Sequence, residues 1–230
     1  MDDLKYELEA ILFDLDGTLV DTAELILASY RHTFSTHLDY CPPDKAIIEG
    51  FGTPMPSQLA RFVDGDLAPL VKTYQRFIFA NHDALIKPIS GVSETLRSLR
   101  SRGYVLAVVT SKTRAAALMS LQRFDLAGFF QVIVTEEDTV QHKPHPEPLL
   151  LALDRLQIAP THALYVGDSA HDLVAGKAAG VRVAAALWGP CTSHDLLSYQ
   201  PDYALNSICD LLHFCLPLDS PRGKIDNASK

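Results

Sequence analysis

The chain has few cysteines. Its 230 residues include only four, Cys41, Cys191, Cys209 and Cys215, and no two are spaced as C-x-x-C. That excludes a disulfide scaffold and a zinc ribbon, and leaves reduced thiols in a cytoplasmic protein as the expectation. Positive charge is also in short supply, with 20 Lys and Arg against 28 Asp and Glu and a formal net charge of -8. No basic stripe reverses this locally, so neither nucleic acid nor an anionic membrane is an expected partner. No apolar run approaches the roughly 20 residues of a membrane span. The acidic start Met1-Asp2-Asp3 lacks the basic region of a secretory signal. Internal repeats are absent.

What is present is ordinary for a folded protein: 47% hydrophobic and 21% charged residues. The length suits one domain carrying a smaller insertion. Ala10-Ile11-Leu12-Phe13 is a short apolar run that stops at acids and a glycine, as a buried strand ending at a site does. Helical spacing then covers about 21–37, 44–48 and 67–86, with Gly50 to Gln58 between them rich in turn formers. No strand is evident from 20 to 88. After Pro88 the pattern alternates, with strands predicted at 104–109, 131–134, 163–166 and 181–185 and helices at 91–102, 113–124, 146–156 and 173–179. A last helical turn is predicted over 211–216. The polar tail 219–230 shows no periodicity and is expected to be flexible.

Alternating strands and helices predict an α/β fold with a doubly wound, Rossmann-like parallel sheet. Such sheets bind ligands beyond the carboxyl ends of their strands. The chemically active residue types here all follow apolar strands: Asp14 and Asp16, Thr110, and Asp168. Two close carboxylates suit one nucleophile or metal ligand and one general acid/base, though an Asp-rich solvated turn has the same local sequence. Gly17 permits a tight turn, and Thr18 can cap or bond an oxyanion. Thr110 and Ser111 at a strand-to-helix junction suit an anion cradle, and equally an N-cap. Lys143 stands among three prolines that restrict its backbone. Asp168 can give a hard oxygen to a cation, and Asp172, four residues on, can orient Lys143 or the metal shell. His142 and His145 have no partner at metal-ligand spacing and are expected on the surface.

In this order the set Asp14-Leu15-Asp16-Gly17-Thr18, Thr110, Lys143-Pro144 and Gly167-Asp168-Ser169-x-x-Asp172 resembles the four motifs of the haloacid dehalogenase superfamily. The resemblance spans about 8–216. Val109-Thr110-Ser111-Lys112, Lys143-Pro144-x-Pro146-Glu147-Pro148 and Ala175-Gly176-x-x-Ala179-Gly180 resemble its phosphoglycolate phosphatase-like branch. Asp21-Thr22-x-Glu24-Leu25-Ile26 is similar to the bacterial pyrophosphatases of that branch.

The resemblance implies a core of 1–19 plus 89–218 with an inserted helical cap, 20–88. It implies a phosphatase of small phosphorylated metabolites, phosphoglycolate- or pyrophosphate-like. Asp14 is then the nucleophile that becomes an aspartyl phosphate, and Asp16 the acid/base. Thr110, Ser111, Lys143, Gly17 and Thr18 serve the phosphoryl group. Asp14, Asp16 through its carbonyl, and Asp168 hold Mg2+. Gly50, Phe51 and Gly52 are candidates in a cap loop, and Arg31 or Arg61 for contact with the substrate's far end. A β-phosphoglucomutase-type phosphomutase or a silent binding protein on the same scaffold is the alternative. A monomer or homodimer is expected.

Overall fold

A computed structural model describes residues 8–218; the tail expected over 219–230 lies outside them. Strand β1 (Ala10–Phe13) is buried along its whole length. A strand with no exposed face needs cover on both sides, and the remaining elements supply it. In chain order they are β2 (Val20–Asp21), α1 (Ala23–His37), α2 (Asp44–Ile48), α3 (Met55–Leu59), α4 (Ala68–Leu85) and β3 (Lys87–Pro88). Then come α5 (Val92–Ser101), β4 (Val105–Val109), α6 (Arg114–Arg123), β5 (Val132–Val134), α7 (Glu147–Leu156) and β6 (Ala163–Gly167). The described chain finishes with α8 (Ala170–Ala179), β7 (Arg182–Ala186), α9 (Ser193–Ser198), β8 (Tyr203–Leu205) and α10 (Leu211–Phe214).

Six strands form one parallel sheet in the order β5-β4-β1-β6-β7-β8. The chain runs outward from β1 to β5, then returns to the other side of β1, so the order reverses at β1 and β6. A ligand crevice opens at such a reversal. Side chains alternate across the sheet with the period of two that strands impose. Ile11 and Phe13 join the apolar cluster that holds Leu96 and Leu99 of α5 and Leu121 of α6. Ala10 and Leu12 face the other way, among Leu149 and Leu153 of α7 and Leu173 of α8. The fold is thus the Rossmann-like α/β sandwich expected.

The segment from 20 to 88 departs from expectation in two places. It holds strands after all, because β2 and β3 pair antiparallel, with Val20 opposite Pro88 and Asp21 opposite Lys87. Two-residue strands carry no periodicity, so nothing in the sequence announces them. The stretch read as a loop to Gln58 becomes helix α3 from Met55 onward. Its prolines sit at and before the first turn, where a missing N–H costs nothing, so they start this helix. Helices α1 and α4 pack together through Tyr30 and Tyr74, whose ring centroids are 4.8 Å apart. Helix α9 and strand β8, both short, were also not expected. Among the described residues no helix is long and apolar enough to cross a membrane.

Leu12 lies in the middle of the sheet with no solvent exposure. Leu12→Ala should cost about 2–5 kcal/mol of stability. Chemical denaturation should show a lower midpoint with an unchanged slope.

Candidate active site

β1, β4 and β6 deliver their C-terminal residues to one place. The turn after β1 holds Asp14 and Asp16, β4 is followed by Thr110 and Ser111, and β6 by Asp168 and Ser169. Asp14, Asp16, Thr110, Ser111 and Asp168 line a single cavity. Its opposite wall comes from α1, α4 and the residues around α3, including Ile26, Tyr30, Phe51, Tyr74 and Ile78.

Lys143 is 2% exposed, which is rare for a lysine. Its Nζ donates to Asp14 Oδ1 at 2.9 Å and Asp172 Oδ1 at 2.6 Å. The Tyr165 hydroxyl at 3.0 Å and the Val109 carbonyl at 3.3 Å complete its surroundings. Burial works against the ammonium, but Asp14 and Asp172 outweigh it and hold its pKa above the ordinary lysine value. Asp172 is likewise held below the usual carboxylate range: burial opposes ionisation, and Lys143, Ser169 and Tyr165 overcome it. Both Asp172 oxygens are engaged, because Oδ2 accepts from the Ser169 hydroxyl at 2.5 Å and the Ser169 N–H at 3.1 Å. Its expected role of orienting Lys143 is the one the geometry supplies.

Asp14 and Asp168 are less well matched. Burial pushes the Asp14 carboxyl up to about 7, with Lys143 opposing and Asp172 and Asp16 adding to the rise. Burial, Asp14 and Asp172 hold Asp168 well above the carboxylate range. Asp168 Oδ1 accepts from the Thr18 hydroxyl at 2.8 Å. Among the described residues, Oδ2 of Asp14 and Oδ2 of Asp168 have no donor. Carboxylate oxygens of Asp14, Asp168 and Asp172 lie within 4.8 Å of one another. Asp14 and Asp168 are hard oxygen donors crowded together and raised in pKa chiefly by burial, a setting that suits a divalent cation. Asp172 is fully committed to Lys143 and Ser169, so Asp14 and Asp168 are the side chains that fit one.

Asp16 faces the cavity. Its Oδ1 accepts from the Thr22 hydroxyl at 2.7 Å and from the Lys112 ammonium. Lys112 was not among the site residues expected, although it follows Thr110 by two positions. Its own N–H donates to Thr110 Oγ1 at 3.2 Å. Thr22, Tyr165, Ser169 and Trp188, whose indole N–H bonds the Thr18 carbonyl at 3.2 Å, were also missed.

Other expected residues take different places. Gly17 and Thr18 do not line the cavity and instead seat Asp168. Gly17 has φ +80, and a Cβ there would stand 2.3 Å from Asp168 Oδ2. Ser111 reaches the cavity, but its hydroxyl donates to the Gly52 carbonyl at 2.7 Å. His171 Nδ1 bonds the Phe51 carbonyl at 2.9 Å, so two core side chains hold successive carbonyls of the 50–54 loop. Gly52 itself has φ +91, and an added Cβ would meet Ser169 Oγ at 2.4 Å. Phe51 and Gly52 line the cavity, whereas Gly50 does not and packs against Gln58 and Arg61. Arg31 pairs with Asp44 and Glu24, and Arg61 with Glu49, and neither lines the cavity. His145 is exposed and His142 partly so.

The sequence pattern of the haloacid dehalogenase-like hydrolases matches residues 11–186. A protein named pyrophosphatase PpaX from Halalkalibacterium halodurans is 39% identical over 206 residues, covering 90% of this chain and 96% of that protein. A protein of the same name from Bacillus velezensis is 40% identical over 207 residues, covering 89% and 94%. The solved structure of a haloacid dehalogenase-like hydrolase from Streptococcus pneumoniae superposes with a TM-score of 0.79 at 30% identity, covering 90% of this chain and 98% of that one. The chain belongs to the haloacid dehalogenase-like hydrolase family, and it is an enzyme of the phosphatase kind within it.

Asp14 binds its proton more tightly in the folded chain than the ordinary value of 3.8 allows. Without metal, its contribution to stability should fall as pH rises from about 4 to about 7, because the native state then holds the extra proton. Thermal melts in chelator and in Mg2+ should show the metal's stabilisation growing from pH 5 to pH 8. A gain that shrinks over that range would contradict the placement of the cation.

Proposed function

We propose that this protein is a magnesium-dependent phosphatase that cleaves small phosphorylated metabolites through an aspartyl phosphate on Asp14. The observation that carries the reading is the division of labour on Asp14. One of its oxygens is fixed by the buried Lys143, and the other has no donor among the described residues, on a side chain that lines the cavity.

Asp14 Oδ2 attacks phosphorus as the bond from phosphorus to the leaving oxygen breaks. Asp16, beside it on the cavity wall, gives its proton to that oxygen. Asp16 then takes a proton from a water molecule whose oxygen attacks phosphorus and frees Asp14. The contacts of Asp16 with Thr22 and Lys112 keep its carboxyl turned to the cavity. Lys143, fixed in place, and Thr110 offer positive charge and a hydroxyl to the phosphoryl oxygens. Asp14 and Asp168, with the Asp16 carbonyl, would hold Mg2+, which supplies charge neutralisation for the phosphoryl group.

Residues 20–88 act as a cap over a core that, among the described residues, spans 8–19 and 89–218. The loop carbonyls held by Ser111 and His171 are the point where cap and core meet at the cavity. Relatives named pyrophosphatase make pyrophosphate a first substrate to assay, with phosphoglycolate beside it. The four cysteines are all unpaired, which suits a reducing cytoplasm.

In the presence of Mg2+ the purified protein should release phosphate from p-nitrophenyl phosphate. Asp14→Asn should reduce kcat by at least about 10³-fold while leaving the thermal melt cooperative. Unimpaired turnover in that variant would remove Asp14 as the nucleophile.

A further inference from the structure

Most polar side chains on the cap wall of the cavity are already bonded within the cap. The Tyr30 hydroxyl donates to Gln58 Oε1 at 2.9 Å, the Gln58 amide donates to the Ile47 carbonyl, and Thr53 Oγ1 donates to the Gly50 carbonyl at 2.7 Å. Gln75 is exposed to solvent. Tyr74 is different. It lines the cavity and is 6% exposed, yet its hydroxyl has no hydrogen-bond partner among the described residues. A buried tyrosine hydroxyl ordinarily finds one. On the facing wall Asp16 also has an oxygen to spare. Its Oδ1 accepts from Thr22 and Lys112, and its Oδ2 has no donor among the described residues.

We propose that the Tyr74 hydroxyl is the second hold on the water molecule that Asp16 activates, so that a cap residue serves the hydrolysis of the aspartyl phosphate. This rests on the phosphatase reading and adds a residue to its second step. In that step the water oxygen bonds to phosphorus and the bond from phosphorus to Asp14 Oδ2 breaks. The Asp16 carboxylate takes the water proton, and inorganic phosphate leaves.

The leaving oxygen needs no such hold, because its bond to phosphorus fixes it until it departs. The water has no covalent anchor, and one hydrogen bond to Asp16 leaves it free to turn. A buried water makes about three hydrogen bonds. The cap wall around it is largely the carbons of Ile26, Phe51 and Ile78, and the Tyr74 hydroxyl is the unspent polar group among them. That hydroxyl can accept one proton of the water while Asp16 takes the other, which leaves a lone pair for phosphorus. Two further features suit the role. The Tyr74 ring is packed against Tyr30, with centroids 4.8 Å apart. Burial and the charge of Asp16 hold its phenol above the ordinary tyrosine range, so it stays neutral while Asp16 does the proton transfer.

The test is Tyr74→Phe, which keeps the ring and removes only the hydroxyl. Enzyme with Mg2+ and saturating labelled p-nitrophenyl phosphate is quenched in acid, and the label bound to protein is counted. The ratio of phosphorylated to free enzyme then equals the rate of aspartyl phosphate formation over the rate of its hydrolysis. In Tyr74→Phe that ratio should rise by about 10-fold, as loss of one hydrogen bond to the water predicts. The kcat/KM, which reads only the steps up to release of p-nitrophenolate, should not move. A merely structural disturbance would slow formation as well. An unmoved ratio overturns the inference. A lower kcat/KM without a raised ratio also overturns it, and assigns Tyr74 to the leaving group. No release of p-nitrophenolate by the wild type overturns the phosphatase reading instead.

Discussion

The buried ion pair of Lys143 with Asp14 and Asp172 is the constraint on which the rest of the site depends. Taking an ammonium out of water is costly, and only close carboxylates with further hydrogen bonds offset that cost. Here the partners come from separate parts of the chain. The end of β1 gives Asp14, α8 gives Asp172, β6 gives Tyr165, and β4 gives the Val109 carbonyl. The proline-rich segment before α7 brings the lysine to them. Displacing the end of β1 or α8 leaves the buried ammonium without a charge partner, a loss of about 3–5 kcal/mol. The same cluster that fixes the nucleophile therefore ties the three central strands to two helices.

Chemistry and selection are built from different material. The reacting groups stand at the ends of strands buried on both faces, where packing holds them still. The wall opposite is mainly aromatic and aliphatic, with Gln58 and Gln75 among it, and comes from α1, α4 and the residues around α3. Contact between the two at the 50–54 loop runs through backbone carbonyls, those of Phe51 and Gly52. A carbonyl accepts a hydrogen bond whatever side chain its residue carries. The Phe51 side chain can therefore change without loss of that bond, whereas Gly52, where an added Cβ would meet Ser169 Oγ at 2.4 Å, cannot carry one.

The core was legible because its signals are local. A continuous apolar run that breaks at an acid or a hydroxyl marks β1, β4 and β6, and each such break is at the cavity. Asp14, Asp16, Thr110 and Asp168 followed from that pattern with the motif resemblance, and Lys143 from the prolines around it. What stayed hidden depends on tertiary contact. Lys112 and Asp16 are 96 residues apart, and no spacing rule joins them. Tyr165 lies inside an apolar strand and reads as core until its hydroxyl is seen against Asp172 at 2.9 Å. Strands β2 and β3 have two residues each, too few to show a period, and exist because they face each other. Pro54 and Pro56 read as turn formers, whereas a proline in the first helical turn is equally a beginning.

Charge balance gives the site its remaining requirement. Asp14, Asp168 and Asp172 are three buried carboxylates set against the single buried ammonium of Lys143. When all are ionised, two negative charges remain in a region of low dielectric. Lys112 is turned to Asp16 at the cavity wall and bonds none of the three. The fold's own response is to raise the pKa of Asp14 and Asp168, since burial penalises an unbalanced carboxylate. A protonated Asp14 is a poor nucleophile, so that response is incompatible with the proposed chemistry. A monovalent cation would leave one charge uncompensated, and a second lysine would fill the space a phosphoryl group must enter. A divalent cation held between Asp14 and Asp168 would balance both charges, and so would favour the ionised form of Asp14 that the proposed chemistry needs.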